Sequence, residues 1–105
     1  MRDTRTDALR LDDAVNRADT AEVRALLDDG VDPNIRDVSG DPILVGAAWV
    51  GVPEIVELLL ERGAEVNARG ADGRNALQRV LGNDSYWHEG HDQVVLLLRG
   101  AGSEE

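Results

Sequence analysis

The sequence predicts an all-α solenoid of three stacked helix–turn–helix units with short hairpin-like turns. A pattern of leucines, acidic residues and a glycine that begins at Leu26 returns 33 residues later at Leu59. A fixed period of this size is typical of stacked supersecondary units rather than of one globular core. Glycines repeat in the same register at Gly30 and Gly63, and Gly102 ends the third unit. Such a stack presents a long surface instead of enclosing a pocket.

The first predicted unit spans about residues 7–36 and contains two helices. The earlier helix runs from about residue 7 to residue 17, and the later helix carries Val23 and Leu27 on one face. Gly30 follows the later helix, at the C′ position, where a positive φ favours glycine. We therefore expect each unit to end its second helix at the repeated glycine.

The second predicted unit spans residues 37–69. Asp41 and Pro42 predict a helix start, with aspartate as the N-cap and proline in the first helical position, and this helix runs to about Val50. Pro53 opens the next helix in a similar way. Because turn-forming residues separate the units, we expect almost no β-sheet beyond two hairpin-like turns.

The third predicted unit spans residues 70–105, and its first helix covers about residues 75–81. Between its two helices the 33-residue register shifts by six residues and then recovers. The six additional residues fall within the segment 82–89. Nothing in the predicted core requires this inserted loop.

The repeated units resemble the ankyrin-repeat family, most clearly in the second unit. The third unit matches at Gly90-His91 and in its final helix, and the first matches mainly in its second helix. The motifs of the second unit that carry the resemblance are Asp37-Val38-Ser39-Gly40, Ala47-Ala48, Gly51, Glu54-Ile55-Val56-Glu57-Leu58-Leu59-Leu60 and Gly63-Ala64-Glu65-Val66-Asn67-Ala68.

One family motif, the Thr-Pro-Leu-His start, is missing from every unit. Pro42-Ile43-Leu44-Val45 and Asn75-Ala76-Leu77-Gln78 stand in its place. Loss of the hydrogen bonds made by that threonine and histidine is expected to leave a less rigid array. Gly46 adds to this, since glycine inside a helix costs about 1 kcal/mol relative to alanine.

The resemblance implies that helix ends and turn tips face a concave binding side, and the aromatic residues fall there. The chain has three aromatics: Trp49 at a helix end, and Tyr86 and Trp87 in the inserted loop. Tryptophan and tyrosine dominate binding hot spots, so we expect these three to anchor a partner protein. The alternative is structural: Trp87 folds back over the end of the stack with Tyr86 beside it, and Trp49 packs on a neighbouring loop.

Three arginines lie at turn tips on the same side and are expected to bond to partner carboxylates. In the alternative interpretation they are solvated and pair with neighbouring aspartates. The full set of predicted partner-binding residues is Trp49, Tyr86, Trp87, His88, Arg36, Arg69, Arg74, Val38 and Asp41.

Composition narrows the function classes. A net charge of −10 disfavours nucleic-acid binding and favours a basic protein partner or simple solubility. Sparse aromatics and the absence of Phe require a core of Leu, Val, Ile and Ala. No apolar run is long enough to span a membrane, and the start does not read as a secretory signal. The absence of cysteine fits a reducing cytoplasm, and the absence of lysine is typical of a high-GC bacterium.

Catalytic and metal chemistry have weak support. His88 and His91, three residues apart with acidic neighbours, are compatible with zinc binding. His91, however, occupies a position where the ankyrin resemblance implies a structural histidine, and His88 then has no dependable partner. No nucleophile–base set and no phosphate-binding loop is visible. We therefore expect no catalytic residues, no cofactor and no bound metal.

The sequence thus predicts one domain that binds a partner protein without catalysing a reaction, as an adaptor or regulatory subunit. An inhibitor or immunity-type protein that neutralises a toxin or enzyme is the main alternative, and a metal-dependent enzyme is a distant one. Leu96 aligns with charged residues in the other units, so an exposed leucine there is expected. It predicts association through the C-terminal unit, with a lone exposed leucine as the alternative.

Overall fold

The computed structural model describes residues 3–82 and 87–104. Over these residues the chain forms six helices that follow one another in pairs, and the molecule measures 40 × 26 × 25 Å. The helices are α1 (Thr4–Asn16), α2 (Thr20–Asp28), α3 (Ile43–Val50), α4 (Pro53–Glu61), α5 (Ala76–Leu81) and α6 (Glu89–Gly100).

The helices form two rows. The first helix of each pair packs on the first helix of the next, so that α3 lies between α1 and α5. The second helices form the other row, in which α4 lies between α2 and α6. This arrangement confirms the predicted all-α stack of helix pairs.

The core is aliphatic, as the composition predicts. Every buried hydrophobic side chain in the described part of the chain is Leu, Ile, Val or Ala. Leu11, Ile43, Leu59, Leu77 and Leu98 are among the largest that are fully buried, and they come from both rows. Burial of one such side chain stabilises the fold by about 1.5–3 kcal/mol, which makes the contacts between units the main source of stability.

The second helices end where the repeated glycines predict. Gly30, Gly63 and Gly102 have φ values of 100°, 97° and 92°. The turn between helices of one pair also uses the left-handed region, at Gly51 with φ 81° and at Ala18 with φ 55°. Ala18 stands 33 residues before Gly51, so the same turn is built once with glycine and once with alanine.

Two predicted helix starts are wrong. The first helix begins at Thr4 rather than near residue 7, because the Asp3 carboxylate accepts hydrogen bonds from the Arg5 and Thr6 backbone N–H groups. In the second unit, the N-cap of α3 is Pro42, with ψ 144° and no side-chain cap, rather than Asp41. Asp41 is instead drawn away from the helix by partners in the next unit, described below.

The predicted hairpin-like turns are present at the starts of the second and third units. Asp37 N–H donates to Asp41 O at 2.9 Å, and Gly70 N–H donates to Arg74 O at the same distance. An isolated antiparallel bridge between Arg36 and Pro42 flanks the earlier turn.

The third unit replaces the missing family motif with a capping box. Asn75 is the N-cap of α5, and its side chain accepts a hydrogen bond from Gln78 N–H at 2.8 Å. The Gln78 side chain in turn accepts from Asn75 N–H at 3.0 Å. The expected loss of rigidity at this helix start is therefore offset, since the box satisfies two N-terminal donors.

Two asparagines connect neighbouring units in the same way. Asn34 accepts from Glu65 N–H at 2.7 Å and donates to Gly63 O at 3.0 Å. One period later, Asn67 accepts from Glu104 N–H at 2.7 Å and donates to Gly102 O at 3.3 Å. These side chains tie the end of each unit to the end of the next.

Candidate protein-binding surface

An open groove lies between the first-row helices and the hairpin-like turn of the second unit. Its volume is about 320 Å³. Residues from α1, α3, α5 and the turn contribute to it, so it crosses all three units. We call it the inner groove; its lining residues are Asp12, Asn16, Asp37, Ser39, Asp41, Val45, Gly46, Trp49 and Arg79.

Trp49 supplies the large apolar surface of the inner groove. Five of the eight α3 residues are buried in the core. Gly46 and Trp49, three residues apart on this short helix, both line the groove. Trp49 is 41% exposed, which agrees with its predicted place at an exposed helix end.

Acidic side chains lie on two sides of the inner groove. Asp12 comes from α1, and partial burial raises the pKa of its carboxyl above the ordinary value. The negative charge of Asp37 raises this pKa further, and a hydrogen bond from Asn16 acts in the opposite direction. Asp37 itself is held by the turn, where its carboxylate accepts from Ser39 N–H at 2.9 Å and from Asp41 N–H at 3.0 Å.

Asp41 connects the groove to the third unit. Its carboxylate accepts from Ala71 N–H at 2.9 Å and from Arg79 Nη2 at 3.2 Å. Arg79 also lies 3.1 Å, Nε to Oδ2, from Asp72. A hydrogen bond from Arg74 N–H lowers the pKa of the Asp72 carboxyl, and Arg79 lowers it further. The single arginine of the groove is therefore engaged by two carboxylates of the chain itself.

Two of the turn-tip arginines, Arg36 and Arg69, donate to backbone carbonyls, which neither sequence interpretation anticipated. Arg36 Nη1 donates to Gly40 O and to Arg69 O, both at 2.8 Å. Arg69 Nη1 repeats the first of these contacts by donating to Gly73 O at 2.7 Å. Both arginines, and Arg74, remain exposed. Their bonding to a partner stays a prediction.

Trp87 covers part of the third unit and remains accessible. Its ring stacks on His91 with centroids 5.2 Å apart and an interplanar angle of 29°. Its Nε1–H donates to Asp92 Oδ1 at 3.0 Å. The residue is 43% exposed. One face of the indole thus packs on the stack, as the structural alternative for Trp87 predicts, and the exposed part is accessible to a partner.

Both ring nitrogens of His88 bond to backbone groups, which the sequence reasoning did not anticipate. Its Nδ1 accepts from Gly90 N–H at 3.0 Å, which leaves the proton on Nε2 to donate to Val50 O at 3.0 Å. His91 is held alike: Nδ1 accepts from His88 N–H at 3.1 Å, and Nε2 donates to Trp49 O at 2.8 Å. The two rings therefore fasten α6 to the end of α3.

All four ring nitrogens of His88 and His91 are engaged by the backbone. Across residues 3–82 and 87–104, no three His, Asp or Glu side chains are grouped so that they could hold a metal ion. Both histidines thus have a structural role, because their hydrogen bonds connect α6 to α3.

Two members of the predicted partner-binding set remain, Tyr86 and Val38. Tyr86 lies outside the described residues. Val38 is 79% exposed at the tip of the turn. Leu96, on α6, is 69% exposed, as its alignment with charged residues predicts.

Of the groove-lining residues, only Trp49 and Asp41 belong to the predicted set. The sequence reasoning missed the other seven as groove residues: Asp12, Asn16, Asp37, Ser39, Val45, Gly46 and Arg79. The 33-residue register contains the signal, since it aligns Asn16 with Trp49 and Gly46 with Arg79. Extending the alignment from the turns and second helices to the first helices would have placed these positions on one surface.

The family model of the ankyrin repeat matches residues 40–71 of this chain. Two curated proteins of Arabidopsis thaliana are also similar. Serine/threonine-protein kinase 12 is 39% identical over 61 residues, which are 58% of this chain and 13% of the kinase. E3 ubiquitin-protein ligase KEG is 35% identical over 77 residues, 73% of this chain and 5% of the ligase. Both similar proteins are from a plant, and a bacterial origin of this chain stays a prediction.

The chain thus spans only a small part of either relative. No helix in the described segments is long and apolar enough to cross a membrane. Ankyrin repeats generally act as protein-binding modules rather than catalysts. From the matched repeat and the stacked helix pairs around it, the chain is an ankyrin-repeat protein.

Proposed function

We propose that this chain is a non-enzymatic interaction module that binds a basic partner protein through the inner groove and the 82–89 loop. The observation that carries the proposal is Trp49, an exposed tryptophan in an open groove. The described core is entirely aliphatic, so the fold does not use Trp49 as a buried core residue. A large rigid aromatic side chain that is exposed in a groove is a common binding hot spot.

The charge distribution supports a basic partner. The chain has a net charge of −10, and Asp12, Asp37 and Asp41 line the groove beside Trp49. Complementary charge speeds the encounter of two proteins and sets their orientation more than it adds affinity. We therefore assign contact area to the aromatic residues and orientation to the carboxylates. The cytoplasm is the proposed compartment.

The test begins with identification of the partner by crosslinking in the source cell and mass spectrometry, followed by calorimetry with the purified partner. Trp49→Ala should cost at least about 2 kcal/mol of binding free energy while the helical circular dichroism remains unchanged. Leu96→Ala is the matched control, because it removes an exposed apolar side chain from α6. If Leu96→Ala abolishes binding and Trp49→Ala does not, the partner docks on the C-terminal unit and the groove assignment is wrong.

The same purified pair separates a regulatory subunit from an inhibitor. The first leaves or raises the activity of its partner. The second binds at nanomolar strength or tighter and abolishes that activity. The strong negative charge favours the inhibitor only if the partner is a strongly basic toxin or enzyme.

A further inference from the structure

Gly46 is a glycine that the fold itself does not require. It lies inside α3, and a Cβ atom built on it would meet no heavy atom within 4 Å apart from its chain neighbours and the adjacent backbone of α3. Alanine would fit this position and is the better helix former. The glycine leaves the floor of the inner groove open one helical turn away from Trp49. Open backbone in a groove is typical of a place where another chain approaches closely.

Asp12 is a second groove residue whose placement opposes the stability of the fold. Its carboxyl is partly buried and faces Asp37, and both effects disfavour the charged form. The groups around it are Asp13 and Asn16 from its own helix, Asp37 and Asp41 from the turn, and Arg79 from α5. Since Arg79 is already paired with Asp41 and Asp72, the groove retains an excess of negative charge.

We propose, on the basis of the function proposed above, that the inner groove receives one arginine side chain of the partner protein. Its guanidinium lies on the Trp49 indole and bonds to the carboxylates of Asp12 and Asp37. The partner backbone next to this arginine passes over Gly46. A planar guanidinium stacks on an aromatic face and bonds to carboxylates at the same time, which an ammonium group does less well.

If Gly46 and Asp12 serve binding, substitutions there should weaken affinity for the partner without lowering the stability of the fold. Gly46→Ala and Asp12→Asn should each leave the chain at least as stable as the natural one, yet weaken binding. The alanine methyl group would occupy the groove floor, and the amide would remove one charge facing the guanidinium. A purely structural role would predict no loss of binding from a stabilising substitution.

The experiment is an NMR titration of the ¹⁵N-labelled full chain with the peptide acetyl-Ser-Gly-Arg-Gly-Ser-amide. The two tryptophan indole N–H signals serve as probes, Trp49 for the groove and Trp87 as an internal reference. We expect a saturable shift of the Trp49 signal and a dissociation constant at least tenfold weaker for Asp12→Asn and for Gly46→Ala. Affinity should rise as the pH rises through the titration of Asp12, because the ionised carboxylate binds the cation.

The matched controls use the same chemical changes outside the groove. Asp13→Asn removes a neighbouring carboxylate that pairs with Arg17 at 2.9 Å, and Gly100→Ala fills another helical glycine with open space around it. Both should bind the peptide within about threefold of the natural chain, well inside the tenfold step that corresponds to 1.4 kcal/mol. A peptide with citrulline, the uncharged isostere, should bind at least tenfold more weakly.

Three results would overturn the proposal. They are no shift of the Trp49 signal at millimolar peptide, equal binding of the citrulline peptide, or equal binding of a third peptide with lysine in place of arginine. The last would indicate a general cation site. These outcomes are separable from a failure of the proposed function. If the purified partner loses affinity with Trp49→Ala while the arginine peptide has no effect, only the arginine assignment fails. If the peptide binds but Trp49→Ala leaves the affinity for the partner unchanged, the groove binds arginine and the partner docks elsewhere.

Discussion

Gly51 shows how closely one residue couples two units. Its φ of 81° favours glycine, and a Cβ atom there would overlap the rings of His91 and His88. Gly90 is constrained from the opposite side, because its Cβ atom would overlap the Gly51 carbonyl oxygen. The pair of glycines allows the end of α3 and the start of α6 to touch, with the histidine rings bonded across the contact.

Replacing Gly51 by alanine should therefore destabilise the protein by at least about 2 kcal/mol, of which roughly 1–2 kcal/mol is the cost of the left-handed backbone. Urea unfolding followed by circular dichroism measures the loss. Gly100→Ala is the control, since no atom lies within 4 Å of its added Cβ and its φ is not left-handed. Equal midpoints for the two variants would show that the contact between α3 and α6 is loose.

Asp12 predicts a pH dependence of stability with a definite sign. Its pKa is raised in the folded chain, so the ionised form costs stability. Below the unfolded pKa both states are protonated and there is no cost. Above the raised folded pKa both are ionised and the cost is complete. Asp12→Asn should thus have a higher urea midpoint than the natural chain at neutral pH, and the difference should vanish in acid. Asp13→Asn should show a smaller gain or none, because the Asp13 charge is the smallest cause of the raised Asp12 pKa and this variant also loses the ion pair with Arg17.

Single residues were only partly predictable from the sequence. The exposure of Trp49 followed from the ankyrin resemblance, which implies that this helix end faces the concave side. The exposure of Leu96 followed from its alignment with charged residues in the other units. The contacts of His88 did not, because they depend on the path of the inserted loop, which no register specifies. Arg36 was placed correctly at a turn tip. Its acceptors were not predictable, because they are backbone carbonyls, which every residue carries.

At the scale of helices and turns, the first two units differ in the residue that takes the left-handed conformation between their helices. The turn between α1 and α2 places Ala18 at φ 55°, and the equivalent turn between α3 and α4 places Gly51 at φ 81°. A side chain in the left-handed region costs roughly 1–2 kcal/mol, whereas glycine there costs little beyond its greater freedom in the unfolded chain.

Ala18→Gly should therefore stabilise the protein, by up to about 1 kcal/mol after the unfolded-state entropy of glycine is subtracted. Thermal and urea unfolding both measure the gain. Ala25→Gly, an exposed change inside α2, is the control and should cost about 1 kcal/mol. A loss of stability in Ala18→Gly as large as in the control would mean that the turn relaxes in solution to a conformation that suits alanine.

Helix existence was predictable and helix starts were less so. Apolar residues at helical spacing and the terminal glycines set the second helices and their ends. The start of α3 was misassigned because Asp41 has competing partners, Ala71 and Arg79, which come from the next unit. The capping box at Asn75 had a readable signal, since glutamine three residues after an N-cap asparagine is a known helix start.

For the whole molecule, stability depends on the joints between units. Adjacent units contact each other through the two helix rows and through side-chain hydrogen bonds, among which the asparagine contacts repeat at both joints. Weakening a joint should therefore affect both stability and cooperativity. Asn34→Ala removes two exposed hydrogen bonds and should cost about 1–2 kcal/mol. It should also lower the urea m-value, because the first unit then unfolds separately.

Asn67→Ala tests the same joint one period later and should cost at least as much, since Asn67 also accepts from Asn75 Nδ2 at 3.2 Å. Fluorescence of single-tryptophan variants follows the second unit through Trp49 and the third unit through Trp87, and the m-value from circular dichroism reports separate unfolding of the first unit. An unchanged m-value and coincident transitions in both variants would show that the aliphatic rows alone keep the units cooperative.

The matched contacts of Asn34 and Asn67 give the molecule a modular joint. A copy of residues 35–67 inserted after Asn67 would supply the Gly63 carbonyl and the Glu65 N–H, which bond to the asparagine of the preceding unit. The copy would also end in an asparagine that can bond to the following unit. Its helices would also meet rows of the same aliphatic spacing on both sides. The array can therefore grow by in-frame duplication, which would lengthen the binding face without any new solution for the core.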